Sequence, residues 1–448
     1  MALDLTRDPL LPLLAKLSWP MMLGILSIMA MYFADSYYLA QLGVGPLAAV
    51  GFVLPIINLL SALGFGCGSA ASSLIARVQG AQNTDLVQRY ALQALLFGLA
   101  HAILFCIAGL IFAPTLFRWM GASEPQLKLI LDYANVWFLG SYLVLIPMVA
   151  NSILRALGNT LVPGLIMIVI AVVNIVLDPI FIFGGMGIPP LGIAGAAYAS
   201  LCAYGIAFIG AFILLHSQIK LLSWRALSLN PAMLWRNLAA IAYPAILTSM
   251  IVPLSAGITI AIVAQYGEKF VAGLNIALRV ESLVLVPLFG IASVVSPLVG
   301  QNYGAGKLRR ARQSVELASR TVVIYALLAS GLMFIFGWLA IDLFQVPTAV
   351  KTIAMDFVKI VFWSHSLLGV IVVTNSASNA LGRPMIAAFL NCAKLLIVYL
   401  PLAFIFSQAW QVQGVYWAIA LANGLVGLLA LWLQRRLPIF SRTASPRY

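Results

Sequence analysis

The sequence predicts an all-α polytopic membrane protein, with twelve transmembrane helices in two homologous six-helix lobes around a central cavity. Three observations carry this reading. Of the 448 residues, 63% are hydrophobic and only 8% are charged, whereas ordinary soluble domains carry about 25% charged residues. Apolar stretches of about 20 residues, enough to cross a hydrocarbon core as a helix, recur from end to end between short polar or Gly/Pro breaks. Polar signatures also repeat at a shift of 224 residues.

The stretches fall near 13–40, 47–76, 90–113, 127–153, 161–184, 191–215, 238–264, 271–299, 316–341, 352–379, 385–408 and 412–434. The weakest break, between the fourth and fifth, rests on the polar run 155-RALGNT-160. The first stretch is too long for the apolar core of a signal peptide, and it contains Pro20 and Asp35, so it is expected to be a retained helix. No soluble domain is visible. Cys67, Cys106, Cys202 and Cys392 are scattered in apolar surroundings with neither pairing nor metal spacing, and read as packing residues.

A net charge of +13 invites a nucleic-acid reading, but the distribution of the charge opposes it. With both termini inside, seventeen Lys and Arg fall in one set of loops, and only Arg118, Lys128, Lys269 and Lys351 fall in the other. This positive-inside bias fits a cytoplasmic (inner) membrane protein with both termini cytoplasmic. No nucleic acid is expected as a partner.

The repeat is clearest in 151-NSILRALG-158 against 375-NSASNALG-382. At the same shift Pro20 meets Pro244, 40-AQLG-43 meets 264-AQYG-267, Gly66 meets Gly290, and Asp132 meets Asp356. Six helices per half make equivalent helices run in the same direction, so the repeats are parallel. The expected division is an N-terminal lobe at 1–215, a basic cytoplasmic linker at 216–237 and a C-terminal lobe at 238–448. Two lobes that rock against each other describe a carrier.

Features that only one half holds are candidates for function. Asp35 falls opposite Thr259, and Asp178 opposite Leu402, so these intramembrane acids belong to the N-terminal half alone. Asn174 and Asp178 are four residues apart and share a helix face. Ser200 adds a hydroxyl on the sixth helix, whereas Asn151 recurs as Asn375 and is partly scaffold. Apart from Lys16 and Lys128 at the span ends, no Lys or Arg lies inside this half's spans to neutralise the acids. Desolvation and like charge disfavour two ionised carboxylates in such a place, which makes a proton site or an oxygen-lined Na⁺ site natural. The alternative is a neutral, hydrogen-bonded acid that serves packing.

Pro20, fifteen residues before Asp35, permits a bend, although its counterpart Pro244 ties a proline here to the scaffold as well. Arg279 and Glu281 replace Pro55 and Ile57 and point to nearly opposite sides of a helix, so they are not one pair; each is either an alternative site or a structural contact, and structure is favoured. His101, His216 and His365 stand isolated. With no HExxH, GxSxG, P-loop or Cys/His cluster, hydrolase and ATPase readings have no residues to stand on. An enzyme is not expected, and no cofactor.

These features together resemble the multidrug and toxic compound extrusion (MATE) family, over essentially the whole chain. The resemblance rests on Pro20 and 34-AD-35, 79-QGAQ-82, 151-NSILRALGNT-160, 174-NIVLDPIFIFG-184, 192-GIAGAAYAS-200 and 375-NSASNALGRP-384. The Asp35/Asp178 pattern resembles the branch of DNA-damage-inducible proteins in particular. The resemblance implies a V-shaped pair of lobes that exports organic cations and amphipathic drugs in exchange for H⁺ or Na⁺. It implies further that Asp35, Asn151, Asn174, Asp178 and Ser200 form one network, joined by Tyr133, and that the first helix bends near Pro20 on protonation. Ser200 stands where many relatives carry Thr, which leaves open how well an Na⁺ shell would close. The expected partners are small-molecule drugs, the coupling ion and the bilayer, with the chain a monomer. The alternative is a flippase for a lipid-linked precursor, whose cavity should carry cations that meet phosphate. The acid-only N-terminal half favours the exporter.

Overall fold

The computed structural model describes residues 4–219 and 231–436, which are helical almost throughout. Residues 220–230 of the expected linker, and the tail beyond 436, lie outside the described residues. The N-terminal half comprises α1 (Leu10–Gln41), α2 (Val44–Gly80), α3 (Thr84–Trp119), α4 (Glu124–Leu139), α5 (Ser141–Ala156), α6 (Leu161–Phe183) and α7 (Ile193–Ile219). The second half comprises α8 (Pro231–Ala264), α9 (Glu268–Gly304), α10 (Leu308–Asp342), α11 (Thr348–Val361), α12 (His365–Ala380), α13 (Pro384–Cys392), a π-helical segment (Ala393–Tyr399) and α14 (Leu400–Arg436).

The helices match the predicted stretches, extended at several ends by polar turns that hydropathy alone does not capture. Among the described residues ten helices are long and apolar enough to cross a membrane, and the bent pair α4–α5 makes eleven. The run Pro384–Arg436 is 53 residues long, about 80 Å at 1.5 Å per residue, more than twice the hydrocarbon core. It turns at Trp410 (φ −127°) and Gln411 (φ 50°), and counted as two spans it brings the total to the predicted twelve.

Lipid-facing stripes follow the helical period. On α3, Leu104, Ile107 and Ile111 are exposed on one face while Ala102 and Phe105 are buried. Of the four cysteines only Cys67 is buried, and Cys202 and Cys392 are exposed rather than packed inside.

The backbone repeats even where the sequence does not. Left-handed residues pair at the 224-residue shift: Gly43 with Gly267, Gln82 with Gly306, Gly121 with Gln345, Gly158 with Gly382, and Gly187 with Gln411. The fourth span of each half also breaks at equivalent places, at Gly140 between α4 and α5 and at the 3-10 turn Phe362–Ser364 between α11 and α12.

The chain separates into two compact units, Leu23–Ile246 and Met1–Met22 with Leu247–Tyr448. The divisions fall inside α1 and α8, at repeat-equivalent positions, and not in the linker expected at 216–237. Side-chain ties explain this. Asn302 Nδ2 donates to Leu5 O at 3.0 Å, Lys307 Nζ donates to Thr6 O at 2.9 Å, and Arg310 donates to Asp8 O, so the chain's first turns pack with α9 and α10. Beside them the Asp4 carboxylate accepts from the Thr6 hydroxyl, which holds it below the usual carboxylate range. In the other unit, Trp235 Nε1 donates to Gln93 at 2.8 Å and Asn237 Nδ2 to Tyr90 at 3.0 Å, so the start of α8 packs on α3.

Candidate functional site

The site is assembled on α6. Asn174 and Asp178 occupy one face of this helix, as their spacing predicts, and both are completely buried. Asn174 Nδ2 donates to Asp178 Oδ1 at 3.3 Å and to Ser200 Oγ, on the neighbouring α7, at 3.0 Å. One amide therefore ties the acid to the hydroxyl. Pro179 follows the acid directly within α6; lacking an N–H, it leaves the carbonyl of Ile175 without its helical donor. Acceptors accumulate at this point, and donors do not.

Asp35, on α1, is half-buried and lies close enough for its side chain to act on those of both Asp178 and Asn174. The cluster thus joins α1, α6 and α7. Asp35 Oδ1, Asp178 Oδ2 and Asn174 Oδ1 are buried without a hydrogen-bond partner, and neither acid forms an ion pair among the described residues. In a dry interior two carboxylates in contact are not both ionised unless a cation joins them. This oxygen-only set, with no fixed positive charge, fits a proton or a small hard cation.

The other predicted residues are placed less directly. Tyr133, on α4, is buried within electrostatic reach of both acids, with Trp137 beside it. Asn151, on α5, is buried, but its Oδ1 has no partner and it makes no hydrogen bond to the acids or to Asn174. Pro20 is buried within α1, which continues through it as a helix, and it belongs to the unit that does not hold the acids.

Two residues that the sequence reading missed surround Asp35. Tyr32 and Tyr204 both lie within its electrostatic reach. Spacing could have found them, since Tyr32 is one turn before Asp35 and Tyr204 one turn after Ser200.

The mirror position in the second half has closed its polar contacts without an acid. Thr259 Oγ1 donates to Ser255 O at 2.8 Å and shares a 2.5 Å hydrogen bond with the Tyr399 hydroxyl. His365, expected to stand isolated, is instead paired with Glu281 at 2.7 Å; the two are distant in sequence, so no spacing rule links them. Glu281 thus takes a structural partner, but it is not Arg279.

The MatE family model matches twice, over residues 20–180 and 244–405, each time at the start of one repeat. The FAD transporter of Shewanella oneidensis is 31% identical over 444 residues, 98% of each chain. The probable multidrug resistance protein YoeA of Bacillus subtilis is 27% identical over 377 residues, covering 83% of this chain and 81% of its own. Among solved structures, the Vibrio cholerae MATE transporter VcmN in the bent form has a TM-score of 0.89 and 29% identity, over 96% of this chain and 97% of its own. A duplicated helical membrane fold, an acid cluster held by one repeat and a family match to both repeats lead to one conclusion: the chain belongs to the MatE family and is a multi-pass membrane transporter, not an enzyme.

Proposed function

We propose that this transporter is a secondary active exporter of organic cations and amphipathic drugs, driven by antiport with H⁺, or with Na⁺, through alternating access. The observation that carries the reading is the hydrogen-bonded Asn174–Asp178 pair with Asp35 within reach of both side chains, without a basic partner. Such a cluster alternates between a proton-bearing state and one that a cationic guest neutralises. It can therefore exchange one for the other. Loss or gain of a proton also changes how the Asn174 amide divides its donors between Asp178 and Ser200, and so links charge to the packing of α6 on α7 and α1. Tyr32, Tyr133 and Tyr204 supply aromatic faces and hydroxyls beside the acids, a suitable wall for a flat organic cation. The chain acts as a monomer in the cytoplasmic membrane, with both termini cytoplasmic, in keeping with its distribution of Lys and Arg.

A second reading, export of a flavin nucleotide, is favoured by the 31% identity over 98% of the chain to the FAD transporter. Proteoliposomes separate the two. Ethidium efflux is followed under an imposed pH gradient and, separately, under an imposed Na⁺ gradient, and FAD efflux under the same gradients. Ethidium moving with the pH gradient alone supports proton-coupled drug export. FAD moving while ethidium does not would replace it with the second reading.

A further inference from the structure

The C-terminal unit contains a partly open cavity of about 180 Å³ whose lining includes Thr259, Glu281, Phe357, Asn391, Lys394 and Tyr399. The internal repeat shows what is special about it. At the 224-residue shift Glu281 falls opposite Ile57, Asn391 opposite Met167, Lys394 opposite Ile170, and Tyr399 opposite Ile175. The first half fills these positions with apolar side chains and folds, so the scaffold does not require the polar ones. The backbone differs in the same place: Lys394 and Tyr399 lie on the π-helical segment Ala393–Tyr399, whereas 169–175 is part of the uninterrupted helix α6. Single-turn π segments within α-helices occur often at functional sites, because the inserted residue re-aims the side chains around it.

The hydrogen bonds show which group is left to meet a guest. Glu281 is held by the Nε2 of His365, itself buried. Thr259 donates to Ser255 O, so the bond it shares with Tyr399 uses the tyrosine proton, and this hydroxyl pair is closed. Asn391 Nδ2 donates to Ala387 O at 2.7 Å. Lys394 feels the charge of Glu281 but forms no ion pair with it, and it makes no hydrogen bond among the described residues. Its ammonium keeps its donors. The rest of the wall is mostly apolar, with the Phe357 ring at one side.

We infer that this cavity binds the carboxylate or phosphate group of a small organic anion with an apolar body, and that Lys394 is its anchor. The site is separate from the acid cluster on α6 and does not depend on the coupling reading. Lys394 supplies a charge-assisted hydrogen bond to the anionic group, and the apolar wall receives the body of the guest. Glu281, held back by His365, stays out of direct contact with the ammonium.

The test is equilibrium dialysis of the purified full-length protein, with no ion gradient imposed, against naphthyl phosphate, naphthoate and the neutral naphthalenemethanol. Wild-type protein is expected to hold at least one of the two anions about ten-fold more tightly than the alcohol, which corresponds to one charge-assisted hydrogen bond. The tighter of the two identifies the head group. Lys394→Gln should bring anion binding down to the level of the alcohol, and Lys394→Arg should keep most of the preference. If Lys394 serves only to neutralise Glu281, the double variant Lys394→Gln with Glu281→Gln should recover the anion preference. That recovery, or equal binding of anions and alcohol by wild-type protein, overturns the proposal.

Discussion

Asp178 shows how much a single position decides. It is completely buried, its one hydrogen-bond partner is Asn174, and one of its oxygens has none. Asp178→Asn should leave insertion intact and abolish gradient-driven efflux, because the amide keeps the shape and loses the exchangeable proton. Asn174→Ala removes the amide that donates to both Asp178 and Ser200 but leaves the carboxyl itself, and should weaken coupling less, within the roughly 5- to 150-fold typical of linked sites. Efflux rates of both variants in proteoliposomes check the order, and normal efflux by Asp178→Asn would remove the acid from the mechanism. The Asn174–Asp178 spacing was readable in the sequence. The bridge from Asn174 to Ser200 was not, since it crosses from α6 to α7. A second residue-scale contrast lies in the turns, where Gly121 and Gln345 share a left-handed conformation at φ 93° and 49°. Glycine adopts it freely, while other L-residues are strained by about 1–2 kcal/mol. Gln345→Gly should therefore raise the melting temperature slightly or leave it unchanged, and Gly121→Ala should lower it, as read by thermal denaturation in detergent.

Among the elements, the fourth span of each half is broken in the same place although the sequences there differ. Hydropathy predicted one continuous stretch at 127–153, and it could not show that α4 and α5 meet at 45°. At this break the chain packs closely on α7, where a Cβ on Gly140 would collide with the Leu201 side chain. Gly140→Ala should cost about 1–3 kcal/mol through overpacking. Adding Leu201→Ala should recover part of this in a thermal-denaturation series, and no recovery would mean that the cost does not come from the Leu201 contact. α1 raises the question of bending in another form, because it runs through Pro20 as one helix. Pro20→Ala restores a backbone N–H and favours a straight helix. If protonation at Asp35 and bending share an equilibrium, the variant should bind ethidium with near wild-type affinity and transport it about 5- to 150-fold more slowly. Equal transport would assign Pro20, like Pro244, to the scaffold.

On the scale of the whole molecule, the halves are related by one shift, and the compact units are bounded inside α1 and α8. The units divide after Met22 and after Ile246, one repeat apart. Equivalent glycines make room at these points in chemically different ways. A Cβ on Gly66 would meet the Ile246 side chain and also the backbone Ala242 O and Ile246 N at 2.9 Å, whereas on Gly290 it would press mainly on the flexible Met22 side chain. Gly66→Ala should therefore lower expression and melting temperature clearly more than Gly290→Ala, because a methionine side chain can move aside and a helix backbone cannot. Equal losses would mean that the two contacts are alike.

The sequence by itself determined the membrane class, the number of spans, the duplication and the two acids that set the halves apart. All of these follow from hydropathy and from polar residues compared at one shift, which are local properties of the chain. It also carried the family resemblance that the double match to the MatE model bears out. Only the tertiary structure decided which distant residues meet: Asn174 with Ser200, Tyr204 with Asp35, and Glu281 with His365. The structure alone also placed Lys394 on a π-helical segment beside a cavity and moved the unit boundaries into α1 and α8. The physical reason is the same in each case. Period and composition fix what a helix buries, but which neighbour it buries against depends on packing between segments far apart in the chain.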